Sequence, residues 1–129
     1  MRLKLFSVWL SLLLLSACVY VPPATPDTAH VHHVVLIWLK DSGNPQQRER
    51  IIKVSRTFAA IKGVRRVTAG TALPSQRKIV DSSFDVAIIM DFDSEKVMQG
   101  YLEHIDHIKA LNNIIKPLTD RIVVYDFVD

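Results

Sequence analysis

Residues 84–107, FDVAIIMDFDSEKVMQGYLEHIDH, contain a β-strand followed directly by the start of a helix. In the first half, large apolar side chains occupy every second position, which is the period of a strand with one face in the core. These residues are Phe84, Val86, Ile88, Met90 and Phe92, and we expect the strand to run from Ser82 to Asp93. Ser94-Glu95 then opens a second helical region, bent or in two pieces, that runs to about Ile115. Lys116-Pro117 is expected to stop it.

The segment before this stretch predicts another strand and another helix. HVVLIWL, residues 33–39, is apolar and β-branched without interruption, as expected of a strand covered on both faces. Asn44 is a good N-cap and Pro45 suits the first helical turn. Gly63 suits the position just after the C-terminus of a helix. We therefore expect a helix over about 45–62.

Two further strands complete the pattern, one at Val64 to Leu73 and one at Arg121 to Val128. The order β-α-β-β-α-β is the ferredoxin-like α+β unit, an antiparallel sheet with both helices on one face. The other face must also be covered, because the first strand is apolar at every position. A second copy of the same sheet is the simplest cover. The predicted fold class is therefore α+β, a ferredoxin-like domain that forms a dimeric α+β barrel as a homodimer.

The N-terminal segment predicts export and a lipid anchor. Arg2 and Lys4 form a positively charged region, and the apolar core that follows is too short to span a bilayer of about 30 Å. Cys18 is the one cysteine of the chain and follows Leu15-Ser16-Ala17. This resembles the lipobox of bacterial lipoproteins, whose cysteine is lipidated and becomes the mature N-terminus. An ordinary secretory signal with a chance cysteine is the alternative. We expect a signal peptide at 1–17, the lipidated cysteine with a proline-rich tether at 18–31, and the folded domain at 32–129.

The charge balance argues against a nucleic-acid partner. The 16 basic and 13 acidic residues give a formal net charge of +3, which falls to +1 when Arg2 and Lys4 are removed with the signal. Nucleic-acid-binding domains normally show a strong basic excess. The predicted location is the bacterial cell envelope, with membrane contact through the lipid on Cys18. Val19 follows where Gram-negative sorting would place aspartate for inner-membrane retention, so in such a host we expect the outer membrane, facing the periplasm. In a Gram-positive host the anchor would lie on the outer face of the plasma membrane.

Several segments together resemble one protein family. They are HVVLIWLK at 33–40, the Gly63-Val64 turn, the stretch at 84–107 and VVYDF at 123–127. In this combination the chain resembles the stress-responsive dimeric α+β barrel (Dabb) domain over about residues 32–128. The most specific piece is YLEHIDH, at 101–107. Members of this family are mostly small dimers of unassigned activity. A few plant members are polyketide cyclases, in which a tyrosine and a histidine at this position catalyse ring closure in an apolar pocket.

The resemblance implies roles for particular residues of this chain. Tyr101 would orient or protonate a substrate carbonyl group, and His107 would act as the base. His33 and His104 would lie at the pocket. The sheet would provide its apolar wall, formed by Val35, Ile37, Ile88 and Met90, with Ile122 and Val124 beside them and Ile51 and Phe58 facing them from the first helix.

The spacing of Tyr101 and His107 sets a geometric condition on this site. They are six residues apart and could not meet on a straight helix, so they converge only if the chain bends between His104 and Asp106. Histidine is the natural acid–base group at neutral pH, and a tyrosine hydroxyl can hydrogen-bond a developing enolate. The alternative is that His107 packs under the helix and His104 points to solvent.

Metal binding is the other chemistry that the histidines suggest. His30, His32 and His33 cluster at the first strand, and His104 and His107 are three residues apart. Imidazoles suit zinc or copper. However, His32 and His33 should point to opposite faces of the strand, and no acidic residue at ligand spacing completes a set. We therefore expect no metal site.

Two functions stay open at the level of sequence. The first is an envelope lipoprotein that binds a small apolar or aromatic ligand between sheet and helices, without turnover. The second is an enzyme with cyclase-, isomerase- or monooxygenase-like activity that uses a His/Tyr acid–base pair. No cofactor is expected, because the sequence has no glycine-rich phosphate loop. A structural dimer with a filled interior is a third reading, and it predicts no ligand.

Overall fold

The computed structural model describes residues 30–129. The predicted signal peptide, Cys18 and nearly all of the tether lie outside this range. Residues 30–129 form four strands, three helices, a short 3₁₀ turn, a π-helical segment and a final α-helical turn. In order, these are β1 Val31–Leu39, α1 Pro45–Thr57, the 3₁₀ turn Phe58–Ala60, β2 Val64–Gly70, β3 Val86–Phe92, α2 Glu95–Leu102, α3 Ile105–Ala110, the π-helical segment Leu111–Ile115, the final turn Lys116–Leu118 and β4 Thr119–Val128.

The strands form one antiparallel sheet in the order β2-β3-β1-β4. This topology confirms the ferredoxin-like α+β fold. The predicted strands at 64–73 and at 82–93 are shorter than expected, because the chain between Gly70 and Val86 forms a long connection instead of continuing the ladder. None of the helices within residues 30–129 is long and apolar enough to cross a membrane.

Strand β1 divides the sheet into two faces. Alternate residues from Val31 to Leu39 are buried, and those between them are partly exposed. The buried residues pack against the helices together with Phe58, Met98 and Ile115. The second face, which carries His32 among others, is the open face of the sheet. The side chains of the unbroken apolar run in β1 therefore point alternately into the core and onto the open face.

A buried carboxylate joins the end of β1 to the start of α1. Asp85 is 1% exposed and accepts hydrogen bonds from the backbone N–H groups of Leu39, at 2.8 Å, and Gly43, at 2.7 Å. It also accepts from Arg48 at 2.7 Å. Burial alone raises the pKa of Asp85, but these donors together outweigh it and hold the pKa below its usual range. Asn44 caps α1, as predicted, by accepting from the backbone N–H of residue 47.

The second helical region is broken, as the sequence indicated, but it ends at Leu118 instead of about Ile115. Ser94 caps α2 and accepts from the Val97 N–H, and α2 stops at Leu102. After α3, the backbone passes through a π-helical segment and a last helical turn that contains Pro117. The prediction that Lys116-Pro117 stops the helix was wrong, because proline is tolerated in the first turn of a new helical segment, where its missing N–H is not needed.

Candidate functional site

A cavity of about 240 Å³ lies between the buried face of the sheet and the helices. Its wall is mostly aliphatic and aromatic, and its polar groups come from two histidines, one tyrosine and one lysine. The lining residues are His33, Val35, Ile37, Phe58, Ile88, Met90, Tyr101, Leu102, His107, Leu111, Ile115, Lys116, Ile122 and Val124. An apolar cavity of about 150 Å³ already holds benzene, so this one has room for a substituted aromatic ring.

Tyr101 lies in the last turn of α2 and is 1% exposed. Its ring packs against Phe92, with centroids 5.2 Å apart, and Phe58, at 5.7 Å. Burial raises the pKa of Tyr101, so the hydroxyl keeps its proton at neutral pH. Within residues 30–129, the hydroxyl makes no hydrogen bond, and it is not among the fully buried unpartnered atoms, so it remains accessible from the cavity as a donor for a ligand.

The break after α2 brings His107 to Tyr101. The chain leaves the helix at Glu103, and His104 becomes the N-cap of α3, accepting from the Asp106 N–H at 3.2 Å. Because α3 runs in a different direction from α2, the ring centroids of His107 and Tyr101 lie 4.5 Å apart. A histidine cap here does what a side-chain oxygen does at most helix starts. The bend that the spacing required is thus present.

Of the pocket residues predicted within 30–129, two do not line the cavity: Ile51, which is buried in the core, and His104. The His104 side chain is 39% exposed and is committed to the helix cap. It is not among the residues that line the cavity. The other predicted site residues, Tyr101, His107, His33 and the four apolar positions of β1 and β3, all line it.

His107 has a defined hydrogen-bonding state. Its Nδ1 is 3.0 Å from the carbonyl oxygen of Leu102, which can only accept, so Nδ1 carries the hydrogen. Burial lowers the pKa of His107 from its ordinary value of 6.5, and the hydrogen bond to Leu102 offsets this only in part. The ring is therefore neutral near pH 7. Its Nε2 is then a bare acceptor, the form that a general base needs.

His33 completes the polar part of the lining. Its Nδ1 lies 2.6 Å from Oδ1 of Asp126, a residue behind the lining that was not assigned to the site from sequence. In the sequence, Asp126 follows the alternation of Ile122 and Val124, which puts all three on the same face of β4. This alternation is the sequence signal that could have assigned Asp126 to the site. Leu102, Leu111, Ile115 and Lys116 were also missed, because their position depends on the helix break and the π-helical segment.

The histidines near the start of β1 separate as expected. His32 lies on the open face, where Nδ1 is 2.8 Å from Asp91, while His33 faces the cavity. The part of the chain that the structure describes contains no group of three or more histidine, cysteine, aspartate or glutamate side chains arranged to hold a metal ion.

Comparison with known proteins identifies the family of this chain. The model of the Dabb family, the stress responsive A/B barrel domain, matches residues 31–129. The chain belongs to this family. A ferredoxin-like Dabb protein from Mesorhizobium loti superimposes with a TM-score of 0.64 at 20% sequence identity, covering 78% of this chain and 97% of that one. No curated protein matches this chain.

Two more solved structures are similar to this Dabb chain. One is a dimeric ferredoxin-like protein of unknown function from Thermobifida fusca, with a TM-score of 0.65 and 27% identity, covering 80% of this chain and 93% of that one. The other is a hydroxynitrile lyase from Passiflora edulis, with a TM-score of 0.67 and 19% identity, covering 78% of this chain and 93% of that one. The fold is therefore found both in an enzyme and in proteins without an assigned activity.

Proposed function

We propose that this chain is an envelope lipoprotein whose Dabb domain binds a small apolar or aromatic molecule in the cavity. The observation that carries the ligand proposal is the cavity itself, of about 240 Å³, which has an aliphatic wall and polar atoms at a few points. Binding sites for small molecules have this character, with apolar walls for affinity and a few polar groups for orientation. Burying an aromatic ring there is favourable because it removes apolar surface from water.

The lipoprotein part of the proposal is supported by the sequence of residues 1–18, where the charged region, apolar core and sole cysteine occur in the required order. Labelling cells with radioactive palmitate tests it. The wild-type chain should take up the label, and Cys18→Ser should not. Equal labelling of the two chains, or none of the wild type, would contradict lipidation at this cysteine.

A second candidate function, cofactor-independent acid–base catalysis, is favoured by the contact between Tyr101 and His107. In such a reaction, Nε2 of His107 would take a proton from a carbon next to a carbonyl group, and the electrons of the broken C–H bond would form an enolate. The Tyr101 hydroxyl would donate a hydrogen bond to the enolate oxygen. The hydroxynitrile lyase from Passiflora edulis shows that an enzyme can have this fold.

One experiment separates the two candidates. Thermal unfolding of the purified protein is followed with a panel of aromatic compounds, polyketide-like compounds, fatty acids, haem, zinc and copper. A bound ligand raises the midpoint, because it stabilises the folded state by RT ln(1 + L/Kd), where L is the ligand concentration. We expect an aromatic or polyketide-like compound to raise it, and haem and the metals not to.

The variants His107→Ala and Tyr101→Phe complete this test. If the protein only binds, His107→Ala should keep most of the ligand-induced shift, because the apolar wall is intact. If it catalyses, turnover of the bound compound should vanish in His107→Ala. No shift with any compound would contradict the binding proposal and favour a structural dimer with a filled interior.

We also propose that the domain is a homodimer joined through the open face of the sheet. Tyr125 and Phe127 on this face are 58% and 53% exposed, and Ile89 is 38% exposed. Such exposed apolar area marks an interaction surface. The similar protein from Thermobifida fusca is dimeric.

Light scattering on the purified protein measures the mass directly. Phe127→Glu should shift the dimer to monomer, because an unpaired charge would be buried in the interface. Ile79→Glu is the matched control, because Ile79 is 90% exposed on the connection between β2 and β3. A wild-type monomer at micromolar concentration would refute the proposed dimer.

A further inference from the structure

His33 and Asp126 form a pair that the sheet itself holds in place. They lie directly opposite each other in the register of β1 and β4. Opposed residues on one face of antiparallel strands have Cβ atoms only about 5 Å apart, so their side chains meet without long flexible linkers. The resulting distance from His33 Nδ1 to Asp126 Oδ1 is 2.6 Å. His33 is 6% exposed and lines the cavity, while the Asp126 side chain is 44% exposed at its edge.

This pairing decides which imidazole nitrogen carries the hydrogen. A carboxylate can only accept, so it holds the hydrogen of neutral His33 on Nδ1. In that form, Nε2 has a free lone pair. His107 is held in the same tautomer by the Leu102 carbonyl group. The polar groups of the cavity are then the Tyr101 hydroxyl donor, the Lys116 ammonium group, which donates to Asn112, and two imidazole acceptors with fixed tautomers.

We propose that Asp126 is a positioning residue that keeps His33 Nε2 as a hydrogen-bond acceptor, so that the cavity selects aromatic ligands carrying a hydroxyl group. This inference rests on the proposed function, because it assumes that a ligand enters this cavity. It names the chemical class of that ligand: a small phenol or aromatic alcohol. A ligand without a hydroxyl donor would leave a buried acceptor unpaired, which costs affinity.

Phenol and anisole are the probes, because methylation removes the hydroxyl donor and keeps the ring and its oxygen. Both are titrated into the purified protein by calorimetry at pH 8.5, above the ordinary imidazole pKa. We expect phenol to bind about tenfold more tightly than anisole, corresponding to one hydrogen bond to a buried acceptor. In Asp126→Ala, the ratio of the two affinities should fall to about threefold, because His33 is then free to change tautomer.

Comparing ratios cancels the intrinsic difference between the probes. Asp120→Ala removes the same charge from an exposed position of the same strand and should keep the wild-type ratio. His33→Phe, which keeps an aromatic ring and removes the acceptor, should lower the ratio as Asp126→Ala does. ¹⁵N NMR of the His33 ring should show the Nδ1–H tautomer in the wild type and a mixture in Asp126→Ala, a change that a purely structural role would not produce.

The outcomes separate this inference from the proposed function. If both probes bind the wild type and the ratio is the same in Asp126→Ala, the role of Asp126 is refuted and the ligand-binding function stands. An equal drop in Asp120→Ala would also refute it, since the effect would then follow charge and not position. If neither probe binds the wild type, the selectivity for hydroxylated aromatic ligands is refuted, whereas the ligand-binding function is decided separately by the thermal-unfolding panel.

Discussion

Replacing Tyr101 by phenylalanine should stabilise the fold and weaken ligand binding. The ring of Tyr101 is 1% exposed and packs against Phe58 and Phe92, and these contacts survive the change. Only the hydroxyl is lost, and within the described residues it has no partner. Because the hydroxyl is not among the fully buried unpartnered atoms, removing it avoids only part of a desolvation cost, a gain of at most about 1 kcal/mol. For a domain of about 100 residues, 1 kcal/mol corresponds to a midpoint about 4–8 °C higher, so the rise should not exceed that range.

Thermal and urea unfolding of the unliganded protein measure this gain. Tyr125→Phe is the matched control, because that tyrosine is 58% exposed on the open face and its change should stay within about 0.5 kcal/mol. A bound ligand that uses the Tyr101 hydroxyl should bind about fivefold more weakly to Tyr101→Phe, the value of one neutral hydrogen bond. A loss of 1 kcal/mol or more in Tyr101→Phe would refute the reasoning, because it would mean that the hydroxyl is hydrogen-bonded in the folded protein.

Three further predictions concern pH and packing. The folded-state pKa of His107 is below its unfolded value of 6.5, so its contribution to stability is complete above pH 6.5 and is lost as pH falls below it. The free energy of unfolding of His107→Phe should therefore rise relative to that of the wild type by up to about 1 kcal/mol as the pH falls from 6.5 to 5. A difference in urea unfolding that stays constant over this range would contradict this. Asp85→Asn removes one partner of a buried ion pair and should cost about 3 kcal/mol in urea unfolding, with a cost below 1 kcal/mol counting against that pair. Gly63→Ala should cost about 2–3 kcal/mol, because φ is +95° there and a Cβ would overlap Val97. Gly100→Ala is the control: a Cβ there meets no neighbour, so the variant should be no less stable than the wild type in a thermal scan.

The sheet was predictable from the sequence because its signals are local. The alternation from Val86 to Phe92 sets one face of β3, and the unbroken apolar run after His33 indicates a strand, of which one face is buried within residues 30–129. Asn44 and Ser94 cap their helices as such residues usually do. These features depend on neighbours in the chain, so periodicity and capping rules apply directly.

The site was predictable only in part, because its details depend on contacts distant in sequence. The resemblance to the Dabb family indicated Tyr101 and His107, but their meeting depends on a helix break that His104 makes by acting as an N-cap. That role takes His104 away from the cavity, and helix propensity gives little warning of a histidine cap. Asp126 is far from His33 in the chain, and only the register of β1 against β4 shows that they pair.

Strand β4 belongs to the cavity and to the open face at once. Asp126 points to the cavity side, while its neighbour Phe127 lies on the open face and stacks on His32, with centroids 4.7 Å apart. Within residues 30–129, the strand pairs only with β1. The proposed partner subunit on the open face and the proposed ligand in the cavity would therefore contact the same short stretch of backbone. If both form, we predict that their binding free energies are linked, and linkage is reciprocal. The affinity of the cavity for a ligand would then vary with the protein concentration at which it is measured.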